Sequence, residues 1–277
     1  MTRRRTTDPG RPTLDNPDDV RSAALSLAEG RAVAHGFGNF YALTARPDRA
    51  VVERVNRMKG RPHAQVGSVT TVRERVTSLF DWSRLPSAVR RRQVEDLIED
   101  LFSLGPFGFR GPAATRIPGH LTATHDGVPT VQLIAPGYRC PSNAFLTAAL
   151  DRTDSDFLAV TSVNPSRHRT GAAYEPAHWR AEGVLADFGH EPGVTLLVHE
   201  DEAAARRRHP HHAPTSTTVL SFHHTTARGR SGLPALTLER HGSLSAAHTR
   251  AVAANHGFAL TLAPRAAHPL RPRAYAQ

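Results

Sequence analysis

Apolar residues recur at helical spacing along three stretches of the chain. Val20, Ala23, Ala24, Leu27 and Ala28 share one face behind Asn16-Pro17-Asp18-Asp19, and Gly30 follows. An asparagine cap, a first-turn proline, acids at the positive end of the helix dipole and a closing glycine predict a helix over 16–28. Val51, Val52, Val55 and Met58 predict a second over 48–58, ended by Gly60. Val94, Leu97, Ile98 and Leu101 predict a third over 87–104. Residues 72–83, 142–151, 175–187 and 245–256 also read as helices. Short apolar runs predict strands over 31–35, 66–71, 129–135, 157–163, 194–199, 216–222 and 235–240, the first running into a turn at Gly36 and Gly38. Helices and strands alternate, which predicts an α/β fold: one twisted mixed sheet flanked by helices, with a concave basic face. Gly105–Ala114 and the Ala/Arg/His-rich 203–213 read as loops. Residues 1–15 read as a disordered basic segment, 16–264 as one domain and 265–277 as a loose tail.

Composition sharpens this picture. Of 277 residues, 39% are hydrophobic and 22% charged, which excludes a disordered chain. Aromatic residues are only 6%, so the core rests on Ala, Val and Leu. The lone cysteine, Cys140, excludes an internal disulfide and a cysteine-based zinc site. No secretory leader and no apolar run of membrane-spanning length is present, so a cytoplasmic protein without a membrane partner is expected. The net charge of +10 suits anionic partners: nucleotides, phosphates or RNA. The basic runs are scattered and carry no interleaved aromatic residues, so charge alone supports anion affinity and no more.

Within that charge one residue stands apart. Thirty-four of the 35 basic residues are arginine; the exception is Lys59, in Met58-Lys59-Gly60-Arg61-Pro62. Lysine is a compact point charge that sits where a planar guanidinium cannot. Its place at a helix exit, two residues before Arg61, lets both cations converge on one anion. Ser162 and Asn164 lie at a predicted strand end, where α/β sheets place ligands, and their side chains point the same way. The 17 histidines cluster at 209–212, 223–224 and 120–125, but none of these spacings matches a zinc motif, so no metal site is assigned. No Walker loop, Gly-x-Ser-x-Gly elbow or dinucleotide fingerprint occurs.

Several segments, taken in order, resemble the YrdC-like family of threonylcarbamoyl-adenylate synthases. The family's Pro-Thr-Asp-Thr-x-Tyr-Gly-Leu turn is matched by Gly36-Phe37-Gly38-Asn39-Phe40-Tyr41-Ala42-Leu43, and its Lys-x-Arg by Lys59-Gly60-Arg61. Pro118-Gly119-His120-Leu121-Thr122, Thr161-Ser162-Val163-Asn164-Pro165-Ser166, Ser216-Thr217-Thr218-Val219 and Leu238-Glu239-Arg240-His241-Gly242 match later motifs. The resemblance runs from about residue 18 to 260. It implies a YrdC-like domain that joins ATP, bicarbonate and threonine, or another amine, into a carbamoyl-adenylate, releasing pyrophosphate for tRNA modification or a related pathway. It further implies Lys59 and Arg61 as catalytic groups, Ser162, Asn164 and Arg240 on the nucleotide, and Asn39, Tyr41 and Thr122 on the amino acid. Mg²⁺ would accompany the ATP, held by phosphates and water. Phe37 and Asn39 stand where the family has threonines, and Ile134 where it has an arginine. Two other readings stand beside this one: a non-catalytic paralogue that binds RNA or a nucleotide, and carbamoyl transfer from carbamoyl phosphate.

Overall fold

The computed structural model describes residues 10–172, 174–226 and 232–275. The first helix, α1 (Pro17–Ala28), starts where the cap signals place it: the Asn16 side chain accepts from the Asp18 amide. It leads into β1 (Ala32–Phe37) and β2 (Phe40–Ala45), a hairpin closed by Gly38 and Asn39. Then come α2 (Arg49–Met58), β3 (Ser68–Thr70), α3 (Arg91–Leu104), β4 (Phe107–Pro112), β5 (Ala123–His125) and β6 (Val128–Ala135). The second half holds α4 (Ser142–Thr153), β7 (Leu158–Ser162), α5 (Arg167–Thr170), α6 (Ala181–Phe188), β8 (Val194–Leu197) and α7 (Glu202–Arg208). It closes with β9 (Thr218–Thr226), β10 (Ala235–Arg240), α8 (Ala246–Asn255) and β11 (Ala259–Leu262).

All these strands form one twisted mixed sheet, ordered β11-β10-β9-β4-β6-β3-β7-β2-β1-β8, with β5 paired to β6 off this path. Parallel contacts (β4 with β9, β3 with β6, β1 with β8) are mixed with antiparallel ones (β4 with β6, β2 with β7). The apolar stripes of the helices cover it. Helices α1 and α4 bury Val20, Leu27, Phe145 and Leu146 against Val33 and Leu158. Helices α2 and α6 bury Val55, Val184 and Phe188 against Ala34, Tyr41 and Leu43 on the other face. The largest core joins α3 and α8 to Phe107, Phe109, Leu133, Leu220 and Leu238. A smaller apolar group, Phe37, Phe40, Ala42, Ile134 and Val160, floors the region in which the site sits.

Four expectations are corrected. Gly105–Ala114 is not a loop over the surface: Phe107–Pro112 is an inner strand between β6 and β9. Its glycines serve close packing, since a Cβ on Gly111 would lie 2.2 Å from the Phe222 ring and one on Gly108 2.7 Å from Ile134. Residues 72–83 form three separate 3₁₀ turns, at 73–75, 77–79 and 82–84, in place of one helix. The 203–213 stretch is ordered, with α7 followed by the buried His209 and His212. The described part of the tail is anchored: the Leu270 amide donates to His241 O at 2.8 Å, and Arg273 forms an ion pair with Glu175 at 3.0 Å. At the other end residues 1–9 lie outside the described residues, while Thr13 bridges to Val198 and Leu14 is buried. Among the described residues no helix is long and apolar enough to cross a membrane.

Candidate functional site

A cavity of about 160 Å³ lies above the ends of β3 and β7, over the Phe37–Phe40–Ile134 floor. Its polar lining includes residues from two loops and from the sheet itself: Arg61 and Gln65 after α2, Ser216 and Thr217 before β9, Ser162 at the end of β7 and Arg240 at the end of β10. Two guanidinium groups thus face a space ringed by hydroxyls and amides, with no carboxylate in the lining. That donor set fits an oxyanion.

Local geometry explains why these side chains converge. Helix α2 ends at Lys59, and Gly60 takes a left-handed φ of +70° that reverses the chain. The Arg61 amide then returns to Asn56 O at 2.8 Å, which aims Arg61 back over the sheet. The buried Asn56 amide donates to His63 O and Gln65 O, both at 3.0 Å, and so fixes the 61–65 loop. Arg61 Nη1 donates to Thr161 Oγ1 at 2.8 Å. Across the cavity Arg240 Nε and Nη2 donate to Thr217 O at 2.6 Å and Thr217 Oγ1 at 2.8 Å. Burial lowers each guanidinium to about 10, so both remain cationic at neutral pH.

Lys59 lies under the wall and not in it. Its side chain is wholly buried, and Nζ donates to Ser162 O and, at 3.3 Å, to Thr161 Oγ1. Its own carbonyl accepts from the Ser166 amide at 2.9 Å. Among the described residues no carboxylate pairs with it. Burial first, and then the Arg61 charge, pull its pKa well below the ordinary lysine value. A lysine so placed clamps the end of β7 to the exit of α2 and sets Arg61 and Ser162 relative to each other.

The sequence matches no family model and no curated protein. Solved structures do match. Sua5 of P. abyssi, complexed with L-threonine, is 18% identical with a TM-score of 0.58, over 89% of this chain and 60% of Sua5. E. coli YciO is 15% identical with a TM-score of 0.52, over 76% of this chain and 87% of YciO. Full-length HypF in its phosphate- and nucleotide-bound form is 18% identical with a TM-score of 0.53, over 80% of this chain and 28% of HypF. The fold is YrdC-like. The chain spans less than two thirds of the length of Sua5 and under a third of that of HypF.

Within this YrdC-like fold the expected site residues separate. Arg61, Ser162 and Arg240 line the cavity together, with Lys59 directly behind. Asn164 is held away from it: its Oδ1 accepts from Ser162 Oγ at 2.6 Å and its Nδ2 donates to Pro165 O and Glu175 O. It orients Ser162. Asn39 sits in the hairpin turn, buried, with Nδ2 donating to His212 O at 2.7 Å. Tyr41 points to the opposite side of the sheet from Phe40 and Ala42, because successive strand residues alternate. There its hydroxyl donates to Glu202 at 2.9 Å, and burial and that acid raise its pKa well above 10. Thr122 follows a 3₁₀ turn whose His120 ring contacts Pro47 O, apart from the cavity. Polar lining residues not singled out from the sequence include Gln65, Ser68, Gln132, Thr161, Ser216 and Thr217. The last three lie in the matched Thr161–Ser166 and Ser216–Val219 segments, which were the available signal.

Proposed function

We propose that the chain is an adenylate-forming carbamoylating enzyme of the threonylcarbamoyl-adenylate synthase type. The observation that carries this reading is the pairing of Arg61 and Arg240 across a hydroxyl-ringed cavity that contains no carboxylate. Two partly buried cations that no acid pairs among the described residues suit a ligand that brings its own negative charge. Sua5 with bound threonine, and HypF with bound phosphate and nucleotide, share the fold and support the choice of ligands.

In the reaction the amine of threonine, or of another small amino acid, attacks the carbon of bicarbonate, and water leaves. The carbamate oxygen then attacks the α-phosphorus of ATP, and pyrophosphate departs. ATP, bicarbonate and amino acid thus become carbamoyl-adenylate, pyrophosphate and water. The charge that grows on the phosphate oxygens calls for fixed donors. Arg61 and Arg240 supply two cations already desolvated and oriented by Thr161 and Thr217. Ser162 and Ser216 offer hydroxyl hydrogen bonds to the nucleotide. Lys59 holds the Arg61 and Ser162 segments in register. Catalysis rests on positioning and charge stabilisation, so no single general base is required. The lining offers no carboxylate to Mg²⁺, so a divalent ion would be carried by the phosphates and water, and no step is assigned to it.

Pyrophosphate release from ATP and bicarbonate, measured with a panel of amino acids, tests the proposal. Release that depends on both bicarbonate and one amino acid is expected. No release with any amine, together with RNA binding that weakens steeply with salt, would favour the non-catalytic reading instead.

A further inference from the structure

The end of the chain reaches back to the loops that carry the cavity. After β11 the backbone runs past β10, where the Leu270 amide donates to His241 O at 2.8 Å. Arg273 then grips the 175–176 segment: Nη2 donates to Glu175 Oε2 at 3.0 Å and Nε to Pro176 O at 3.0 Å. The Trp179 indole returns a hydrogen bond to Arg273 O at 2.8 Å.

Tyr275 completes the contact. Its hydroxyl lies 2.9 Å from His178 Nδ1, and accepts from the Trp179 amide at 3.2 Å and the Arg180 amide at 3.4 Å. His178 Nε2 lies 2.8 Å from Asp187 Oδ2. One neutral tautomer satisfies the whole chain: the tyrosine hydroxyl donates to Nδ1, and Nε2–H donates to the aspartate. The Tyr275 ring packs edge-on against Trp179 at 5.1 Å, and the Arg180 guanidinium covers both rings, 4.8 Å from one centroid and 5.2 Å from the other.

Room for this contact is made on purpose by a glycine inside α6. A Cβ on Gly183 would lie 2.3 Å from His178 Nδ1 and 2.8 Å from the Tyr275 ring. Glycine costs stability in a helix; here it admits the latch.

The gripped segment packs behind residues that line the cavity. The His178 amide donates to Val163 O at 3.1 Å, and His178 O accepts from the Tyr41 amide at 2.8 Å. His178 is thereby stitched between the end of β7, which bears Ser162, and β2, which bears Phe40 and Ala42. Trp179 packs on the apolar floor that holds Phe37, Phe40 and Ile134. The Glu175 carbonyl holds Asn164, which orients Ser162.

We propose that residues 270–275 form a positioning strap, latched by Tyr275 on His178, that holds residues 163–166 and 174–180 against the sheet and thereby sets the affinity of the cavity. Tyr275, Arg273 and Gly183 are positioning residues: none lines the cavity, and each acts on it through His178, Trp179 or Glu175. This inference rests on the proposed function only for the choice of ATP as probe.

The test uses the full chain in three forms: wild type, Tyr275→Phe, which keeps the ring but loses the hydroxyl, and Gly183→Ala, which leaves the strap sequence intact and removes its seat. Backbone amide exchange of residues 163–166 and 174–180 is measured without ligand, and ATP affinity by calorimetry. Faster exchange confined to those residues and ATP binding weakened about tenfold in both variants are expected. Exchange that matches wild type in both variants overturns the proposal, as does loosened exchange with unchanged ATP affinity. If wild type binds no ATP, the proposed function falls and the strap's effect on the cavity falls with it, even where the exchange data show the latch. Should Gly183→Ala fail to fold, the conservative Tyr275→Phe decides alone.

Discussion

Two groups of basic side chains are drawn into this sheet, and they are treated in opposite ways. Around the cavity, Arg61 and Arg240 remain cationic with no acid in the lining, and Lys59 is sealed behind them. Around the β1–β2 turn, His35, His199, His209 and His212 are more deeply buried than the two arginines, and burial lowers them to between about 3 and about 4, so they are neutral. Desolvating a charge costs several kcal/mol (roughly) unless something compensates it. The histidines avoid that cost by releasing the proton. The arginines cannot, and are kept where a ligand can supply the missing negative charge. Partly buried cations that no carboxylate pairs among the described residues therefore mark the site better than basic residues in general do.

Acid should break the comparison most strongly. The four histidines have folded-state pKa values depressed below their unfolded value of about 6.5. Their contribution to stability is complete above pH 6.5 and is lost as pH falls towards their folded values of about 3 to about 4. Between pH 6.5 and 5 each withdraws about 2 kcal/mol at most. Denaturant midpoints measured at pH 7.5, 6, 5.5 and 5 should fall steeply over that window; a flat profile would mean that the cluster is charged or open. Next, Arg61→Met should cut pyrophosphate release about a hundredfold, the usual loss on removing one fixed donor from a developing oxyanion, with little change in thermal stability. Lys59→Arg should weaken ATP binding about tenfold, since the larger guanidinium cannot fit the sealed position without moving Ser162. Survival of full affinity would show that Lys59 is interchangeable with the other basic residues. The smallest effect is expected on the far face: Tyr41→Phe removes the hydrogen bond to Glu202 and should cost about 1 kcal/mol of stability, while ATP affinity stays within twofold of wild type.

The sequence made parts of this legible and hid others for physical reasons. The helices α1, α2 and α3 were readable because each buries one stripe and carries its own end signals, such as Asn16 and Gly60. The hairpin strand β2 was not, because every residue of Phe40–Ala45 is buried and no alternation remains to be seen. Strand β4 was masked by Gly108, Gly111 and Pro112, which read as loop residues; the glycines instead make room for Phe222 and Ile134. At the site, Arg61, Ser162 and Arg240 line one cavity with Lys59 behind them, whereas strand parity puts Tyr41 on the opposite face of the sheet. That parity could be assigned only once Phe40 was known to begin a strand. The neutral histidine group was only half visible for a different reason: His209 and His212 lie together in the sequence, whereas His35 and His199 come near them only through the tertiary fold.

The most direct measurement is a calorimetric titration of ATP into three proteins at pH 7.5: wild type, Arg61→Met/Arg240→Met and His212→Leu. Wild type and His212→Leu should bind alike, and the double arginine variant at least about a hundredfold more weakly. Equal binding by all three would contradict the assignment of the cavity as the anion site.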